Sequence, residues 1–200
     1  MTPQDLYEFI KREYPHCEVP SICCIDKSCL QNGFCTHAQS TTLIDFDRVK
    51  DDHCKGLPAK PASVDAICIS GTDKVFYFIE LKGWKKYLET QSKQKRSPQE
   101  TAEGYKLFTK LSDSLRLCEQ IVSNNELFAD IPIRFLLVTD IDTKTHGIES
   151  FHSVLNLLGE TSTNIYLDCL QQARNILESE IKIEREYISC KEFDNHIKSV

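Results

Sequence analysis

Two short apolar runs on either side of a polar turn are the clearest pattern along the chain. The runs are SVDAICIS at residues 63–70 and VFYFIELK at residues 75–82, and Gly-Thr-Asp-Lys separates them. Runs rich in Ile, Val, Phe and Tyr around such a turn predict a β-hairpin. A turn centred at residues 72–73 pairs Asp65 on the first strand with Glu80 on the second.

The second run is apolar on both faces, which is typical of a strand in the middle of a covered sheet. Side chains alternate between faces along a strand, so Glu80 and Lys82 point the same way, with Asp65 opposite Glu80. The three charged groups are therefore expected to converge on one spot. Two acids directly across a strand pair repel each other, so a positive group, either an amine or a metal ion, is expected between them.

Hydrophobic periodicity predicts the remaining elements and an α/β fold. In chain order these are a helix at 3–14 capped by Thr2, a strand at 41–49, a loop at 50–63, the hairpin, a long helix from 97 to about 122 and a strand at 131–139. A short helix at 147–158, a strand at 164–167, a helix at 170–181 and an edge strand or helix continuation at 182–189 follow. The order predicts a single domain over residues 1–200. We expect a three-layer α/β/α sandwich with a mixed central sheet of about four to six strands.

Basic residues are concentrated in one stretch, although the chain as a whole is acidic. The formal net charge is −6, the wrong sign for holding nucleic acid by overall electrostatics alone. Residues 82–96, however, contain six basic residues and one acid. A basic loop at about 83–98 is either a surface that follows a phosphate backbone, with an aromatic ring stacked on a base, or an ordinary solvated loop. The candidate nucleic-acid-binding residues are Trp84, Lys85, Lys86, Lys93, Lys95 and Arg96.

Two carboxylates on rigid strands beside a lysine are suited to a divalent cation. Mg²⁺ usually takes one or two protein carboxylates and leaves positions open for a phosphate. A lysine next to the cation can hold a phosphate oxygen or position the attacking water. The hairpin therefore predicts a site for phosphodiester hydrolysis that uses Mg²⁺ or Mn²⁺.

An Asp on one strand, followed after a turn by Glu-x-Lys on the next, resembles the motif of the PD-(D/E)XK nuclease superfamily. Here the motif is Asp65 with Glu80-Leu81-Lys82. The resemblance implies a restriction-endonuclease-like core, metal binding by Asp65, Glu80 and the carbonyl of Leu81, and a role for Lys82 in assisting the water. Such proteins often carry a glutamate on a first helix that reaches the active site, and Glu13 is the corresponding candidate.

Other interpretations of these residues stay open from the sequence. Asp45 and Asp47, on the strand predicted at 41–49, are alternative metal ligands. Glu13 also fits a solvated residue at a helix end, because glutamate is rarely buried. The hairpin itself also fits a surface hairpin with an ordinary Glu–Lys pair.

Half of the ten cysteines lie close to the N-terminus, in a Cys-rich insertion at about 16–40. The chain has no run of about 18 apolar residues and no secretory leader pattern, so we expect a cytoplasmic protein with no membrane association. There, clustered cysteines more often bind metal or react than form disulfides. A structural Zn²⁺ site, an iron–sulfur cluster and unligated thiols all remain open. The candidate Zn²⁺ ligands are Cys24, Cys29, Cys35 and His37.

The leading hypothesis is a Mg²⁺-dependent nuclease that hydrolyses phosphodiester bonds, with DNA expected ahead of RNA as substrate. One domain of this size leaves little room for a separate recognition module. Substrate choice is therefore expected to come from a partner protein or a homo-oligomer, and a restriction, repair or phage-defence assembly would fit the resemblance. The alternative is a catalytically inactive nuclease-like scaffold or adaptor that binds nucleic acid or a partner protein.

Overall fold

A six-stranded sheet forms the centre of the protein in a computed structural model that describes residues 1–31, 33–83, 100, 104–140 and 184–200. The strands follow one another across the sheet in sequence order. They are β1 (Glu18–Val19), β2 (Leu43–Asp45), β3 (Ala66–Ile69), β4 (Phe76–Lys82), β5 (Ile133–Thr139) and β6 (Glu184–Ser189). The first four strands pair antiparallel, whereas β4, β5 and β6 run parallel. The prediction of an α/β fold with a mixed sheet is confirmed.

The helices of the described residues are α1 (Pro3–Glu13), α2 (Ser28–Gln31), α3 (Phe46–His53), α4 (Leu107–Val122) and α5 (Phe193–Ser199). The predicted cap of α1 is confirmed, because the amide of Asp5 donates to Thr2 Oγ1 at 3.1 Å and the amide of Thr2 donates to Asp5 Oδ2 at 2.9 Å. Within the part of the chain that the structure describes, every helix is too short or too polar to cross a bilayer.

The hairpin formed by β3 and β4 has the predicted register. Ala66 lies opposite Ile79, and the remaining pairs follow in step. At the turn, Asp73 adopts a φ of 58°, a left-handed conformation that aspartate tolerates better than most residues. Continuing the register by one residue places Asp65 opposite Glu80, as the turn position predicts.

The central strand β4 is buried on both faces, as its apolar sequence predicts. On one face Phe76 and Phe78 pack against residues of α1, α3 and α4. On the other face Tyr77 and Ile79 pack against α5 and the Cys-rich segment, by which we mean residues 16–40. Cover on both faces is compatible with a three-layer α/β/α arrangement.

The strand predicted at 41–49 is wrong beyond residue 45, and the loop predicted at 50–63 is wrong for its first residues. β2 ends at Asp45, and α3 begins at the next residue. The amide of Arg48 donates to Asp45 Oδ1 at 3.1 Å, and Asp47 lies in the first turn of the helix. Both acids stabilise the positive end of a helix, so the alternating pattern marks a capped helix start.

Asp194 in α5 fastens the end of the Cys-rich segment to the rest of the fold. Its carboxylate accepts hydrogen bonds from the amide and hydroxyl of Ser40 at 2.6 and 2.7 Å, and from the amide of Thr41 at 2.9 Å. Burial alone would raise the pKa of Asp194, but these hydrogen bonds outweigh burial and lower it. The ionised carboxylate therefore stabilises the folded state.

We expect Asp194→Ala to lower the free energy of unfolding by about 1–2 kcal/mol at neutral pH, since the carboxylate is only partly buried. Because folding lowers the pKa of Asp194, its contribution is present above the unfolded pKa and is lost as the pH falls through the folded pKa. Urea denaturation at several pH values measures both effects. The exposed Asp130 supplies the control, Asp130→Ala. An equal loss in the control, or a loss that does not shrink in acid, would contradict the assignment.

Candidate functional site

Glu80 is a fully buried carboxylate near the end of β4. Its Oε1 accepts a hydrogen bond from Lys110 Nζ at 2.6 Å and also pairs with Lys82 Nζ. Burial and the charge of Asp65 raise the pKa of Glu80, while the two lysines act in the opposite direction. Its Oε2 is buried and has no hydrogen-bond partner among the described residues. Such an oxygen calls for a cation or a donor.

Asp65 meets the same lysine from the neighbouring strand. Its Oδ1 lies 3.6 Å from Lys110 Nζ, and its Oδ2 accepts a hydrogen bond from the amide of Leu81 at 2.6 Å. Burial would lower the pKa of Lys110, but the charges of Glu80 and Asp65 more than offset this and raise it. In the structure, the positive group expected between the two acids is therefore an amine.

Lys82 lies at the solvent-accessible edge of the site. Its side chain is 18 % exposed, in contrast to the fully buried Glu80 with which it pairs. Its ammonium also lies 5.0 Å from the ring centre of Tyr105, within the range of a cation–π contact. The lysine is thus fixed by two partners and still open to solvent. A molecule that approaches the two acids would meet Lys82.

Both alternative acids interact electrostatically with the site, Asp45 with Asp65 and Asp47 with Lys110. The charge of Asp65 adds to the effect of burial in raising the pKa of Asp45, and Arg48 pairs with its carboxylate at 3.0 Å. Asp47 is instead bound by Lys50 at 2.7 Å and by the hydroxyl of Ser63. Both acids are therefore close to the site, and both are already engaged by other partners.

The structure does not bring Glu13 to the two acids. Its side chain is 48 % exposed, and its Oε1 lies 3.3 Å from Nε of the neighbouring Arg12. No contact between described residues joins Glu13 to Asp65 or Glu80. The predicted nucleic-acid-binding residues Trp84, Lys85, Lys86, Lys93, Lys95 and Arg96 lie outside the described residues.

Two of the four predicted Zn²⁺ ligands come together with a third cysteine from the far end of the chain. The ligand atoms of Cys29, Cys35 and Cys190 all lie within 4.8 Å of one another, and all three residues are buried. Burial raises the pKa of Cys35 to about 12. The other two candidates, Cys24 and His37, are exposed. The buried group could hold a metal ion.

Sequence reasoning missed Lys110 and Cys190, for different reasons. Lys110 lies three residues after Leu107 and four before Ser114, both fully buried on α4. Counting along the helix face would have placed it on the inner side. Cys190 meets Cys29 only through the tertiary fold, and no local spacing signals that contact.

Comparisons with known protein families, curated proteins and solved structures found no match. The class of protein follows from the fold and the site alone. It is an α/β protein in which two acids and two amines meet at the end of the central strand.

Proposed function

We propose that the chain is a Mg²⁺- or Mn²⁺-dependent nuclease with a restriction-endonuclease-like core and an active site formed by Asp65, Glu80 and Lys82. The observation that carries the proposal is the state of Glu80. This carboxylate is fully buried across from a second acid, and its Oε2 has no partner within the described residues. A divalent cation satisfies such an oxygen and both negative charges at once.

Each residue has a distinct task in this proposal. Asp65 and Glu80, with the carbonyl of Leu81, would hold the cation, which when bound supplies a concentrated positive charge for the phosphate. Lys82 is exposed enough to hold a phosphate oxygen or orient the attacking water, and its pairing with Glu80 fixes its position. Lys82 and Lys110 together offset the charges of the two acids in the absence of the cation.

The substrate in this proposal is nucleic acid, with DNA ahead of RNA. The support is the basic composition of the segment that directly follows Lys82. Because the net charge of the whole chain is negative, we propose that a partner protein or a second copy of the chain contributes to substrate choice.

The test is cleavage of linear DNA, circular DNA and single-stranded RNA by the purified chain with Mg²⁺, Mn²⁺ or EDTA. The expected result is cleavage with either metal and none with EDTA. Asp65→Asn is the matched control, since an amide oxygen can still accept the hydrogen bond from the Leu81 amide. Cleavage that survives in this variant, or that does not need a divalent cation, would overturn the proposal.

A second candidate is an inactive nuclease-like scaffold that binds nucleic acid or a partner protein. The observation that favours it is the amine of Lys110, which contacts both acids and offsets part of their charge. In that case the four charged groups form a structural ion-pair network. Absence of cleavage, together with unchanged stability on addition of Mg²⁺, would favour the scaffold.

A further inference from the structure

A group of three buried cysteines lies on the face of the sheet opposite the two acids. Cys29, Cys35 and Cys190 belong to the apolar cluster that covers Tyr77 and Ile79, whereas the neighbours of Glu80 on its strand, Phe76 and Phe78, belong to the other cluster. None of the three cysteines is part of a disulfide. Their ligand atoms all lie within 4.8 Å of one another.

Local backbone structure brings Cys29 and Cys35 together. Gly33 adopts a φ of 68°, which reverses the chain after α2 and which glycine adopts without strain. The amides of Phe34 and Cys35 then both donate to the carbonyl of Cys29, at 2.9 and 3.2 Å. The loop is therefore closed on Cys29. The closed loop brings together two cysteines that five residues separate in the sequence.

The third thiol comes from an independent element. Cys190 begins a 3₁₀ turn directly after β6, and the turn is fixed by a capping box between Ser189 and Glu192. The hydroxyl of Ser189 donates to Glu192 Oε2 at 3.1 Å. Because the turn is capped, Cys190 is held toward the Cys-rich segment before any metal is present.

We propose that Cys29, Cys35 and Cys190 bind one structural Zn²⁺ ion, with Cys23 as the fourth ligand. Zn–S bonds of about 2.3 Å in a tetrahedron place the sulfur atoms about 3.8 Å apart. The three sulfur atoms lie within 4.8 Å of one another, so their separations have to shorten by no more than about 1 Å for them to bind one ion.

Cys23 is the best fourth ligand in the Cys-rich segment. It is buried in the same apolar cluster as Cys29, Cys35 and Cys190. Its neighbour Cys24 is exposed, as is His37. The side chain of Cys23 thus has to move only within the cluster, whereas Cys24 or His37 would have to leave the surface.

The spacing of the thiols favours one ion over an iron–sulfur cluster. A cluster of several irons holds its thiolates further apart than a single ion does, and it needs room between them. The thiols are instead packed within a cluster of buried, mostly apolar side chains. Zn²⁺ also needs no redox partner, and structural Zn²⁺ sites are closed tetrahedra of thiolates or imidazoles.

The ion would anchor a segment that has little regular structure. Between α2 and β2 the chain makes no helix or strand, in the residues described there. Linking Cys29 and Cys35 to Cys190 would join this segment to the end of β6. A small pocket lined by Cys29 and Cys190 is also lined by Lys82 and Gly83, so the anchor lies beside the end of β4. Binding free energy at such a site contributes directly to folding.

Metal analysis of protein purified without a histidine tag and in reducing buffer tests the proposal. We expect about one Zn²⁺ per chain by mass spectrometry of metals. Cys29→Ala and Cys190→Ala should each lose most of this Zn²⁺. The matched control is Cys118→Ala, because Cys118 is equally buried but lies in the opposite apolar cluster. Cys23→Ala should lower the Zn²⁺ affinity by at least about tenfold, as expected on loss of one ligand.

Two measurements on the wild-type chain do not depend on the variants folding. Mercurial titration of the thiols should release Zn²⁺, and Co²⁺ exchanged into the site should show thiolate charge-transfer bands with the intense visible bands of tetrahedral cobalt. Iron with labile sulfide in place of Zn²⁺, no uptake of either Zn²⁺ or Co²⁺, or full Zn²⁺ content in Cys190→Ala would overturn the proposal. Unchanged affinity in Cys23→Ala would overturn the assignment of the fourth ligand. None of these readouts requires nuclease activity.

Discussion

Lys82→Ala is expected to lower the rate of metal-dependent phosphodiester cleavage by at least about 100-fold, the usual effect of removing one preorganised donor from a reacting oxyanion. In the proposed site Lys82 pairs with Glu80, and its side chain stays 18 % exposed. Its loss removes the group that would hold the phosphate oxygen or orient the water. Single-turnover cleavage at saturating Mg²⁺ measures the effect on the chemical step.

The control for this prediction is Lys106→Ala. Lys106 is an exposed lysine at the start of α4, and it should be removable with less than about a twofold change in rate. Because Lys82 also pairs with the buried Glu80, both variants need an unfolding curve beside the rate. A folded Lys82→Ala protein that cleaves at the wild-type rate would contradict the role assigned to Lys82.

The hairpin shows what the sequence can predict well. Its register depends on a two-residue alternation and on the position of one turn, and both are local. Fixing the turn therefore determined that Asp65 and Glu80 would be opposite each other, and the observed pairing of β3 with β4 agrees. The central position of β4 followed in the same way, from a strand apolar on both faces.

Residues 45–53 show where local patterns are ambiguous. Asp-Phe-Asp alternates like a half-exposed strand, yet Asp45 and Asp47 also supply the cap and first turn of α3. The same residues fit both a strand and a helix start. The helix is favoured because the amide of Arg48 donates a hydrogen bond to the Asp45 side chain. The start of a capped helix is therefore easier to predict when a sequence is searched for capping residues before it is searched for the alternation typical of a strand.

The sequence alone does not identify every charged partner of Glu80, because Lys110 belongs to α4, which is distant from Glu80 along the chain. The sequence required a positive group between the acids but did not identify it. Lys110 reaches both carboxylates only because α4 packs across β4 on the face that carries Glu80. Long-range packing of this kind determines which lysine of a helix is buried, and local periodicity determines only the face.

Lys110→Met is expected to lower the free energy of unfolding by about 2–4 kcal/mol in the presence of EDTA. The change removes an amine that contacts both Glu80 and Asp65, while a side chain of similar length is kept. A buried carboxylate that loses one of its partners is costly, although the remaining Lys82 and partial solvent access moderate the loss. Urea denaturation in EDTA measures this effect, with Lys106→Met as the matched control on α4.

The effect of Mg²⁺ on Lys110→Met then separates the two candidate functions. If the acids form a metal site, removing the competing amine should tighten Mg²⁺ binding, and millimolar Mg²⁺ should restore most of the lost stability by mass action. If the four charges are a structural network, Mg²⁺ should leave both the wild type and the variant unchanged. Calorimetric titration with Mg²⁺ supplies an independent reading of the affinity. Because neither measurement depends on the choice of substrate, failure to restore the variant would contradict the metal site even if the correct nucleic acid had not been found.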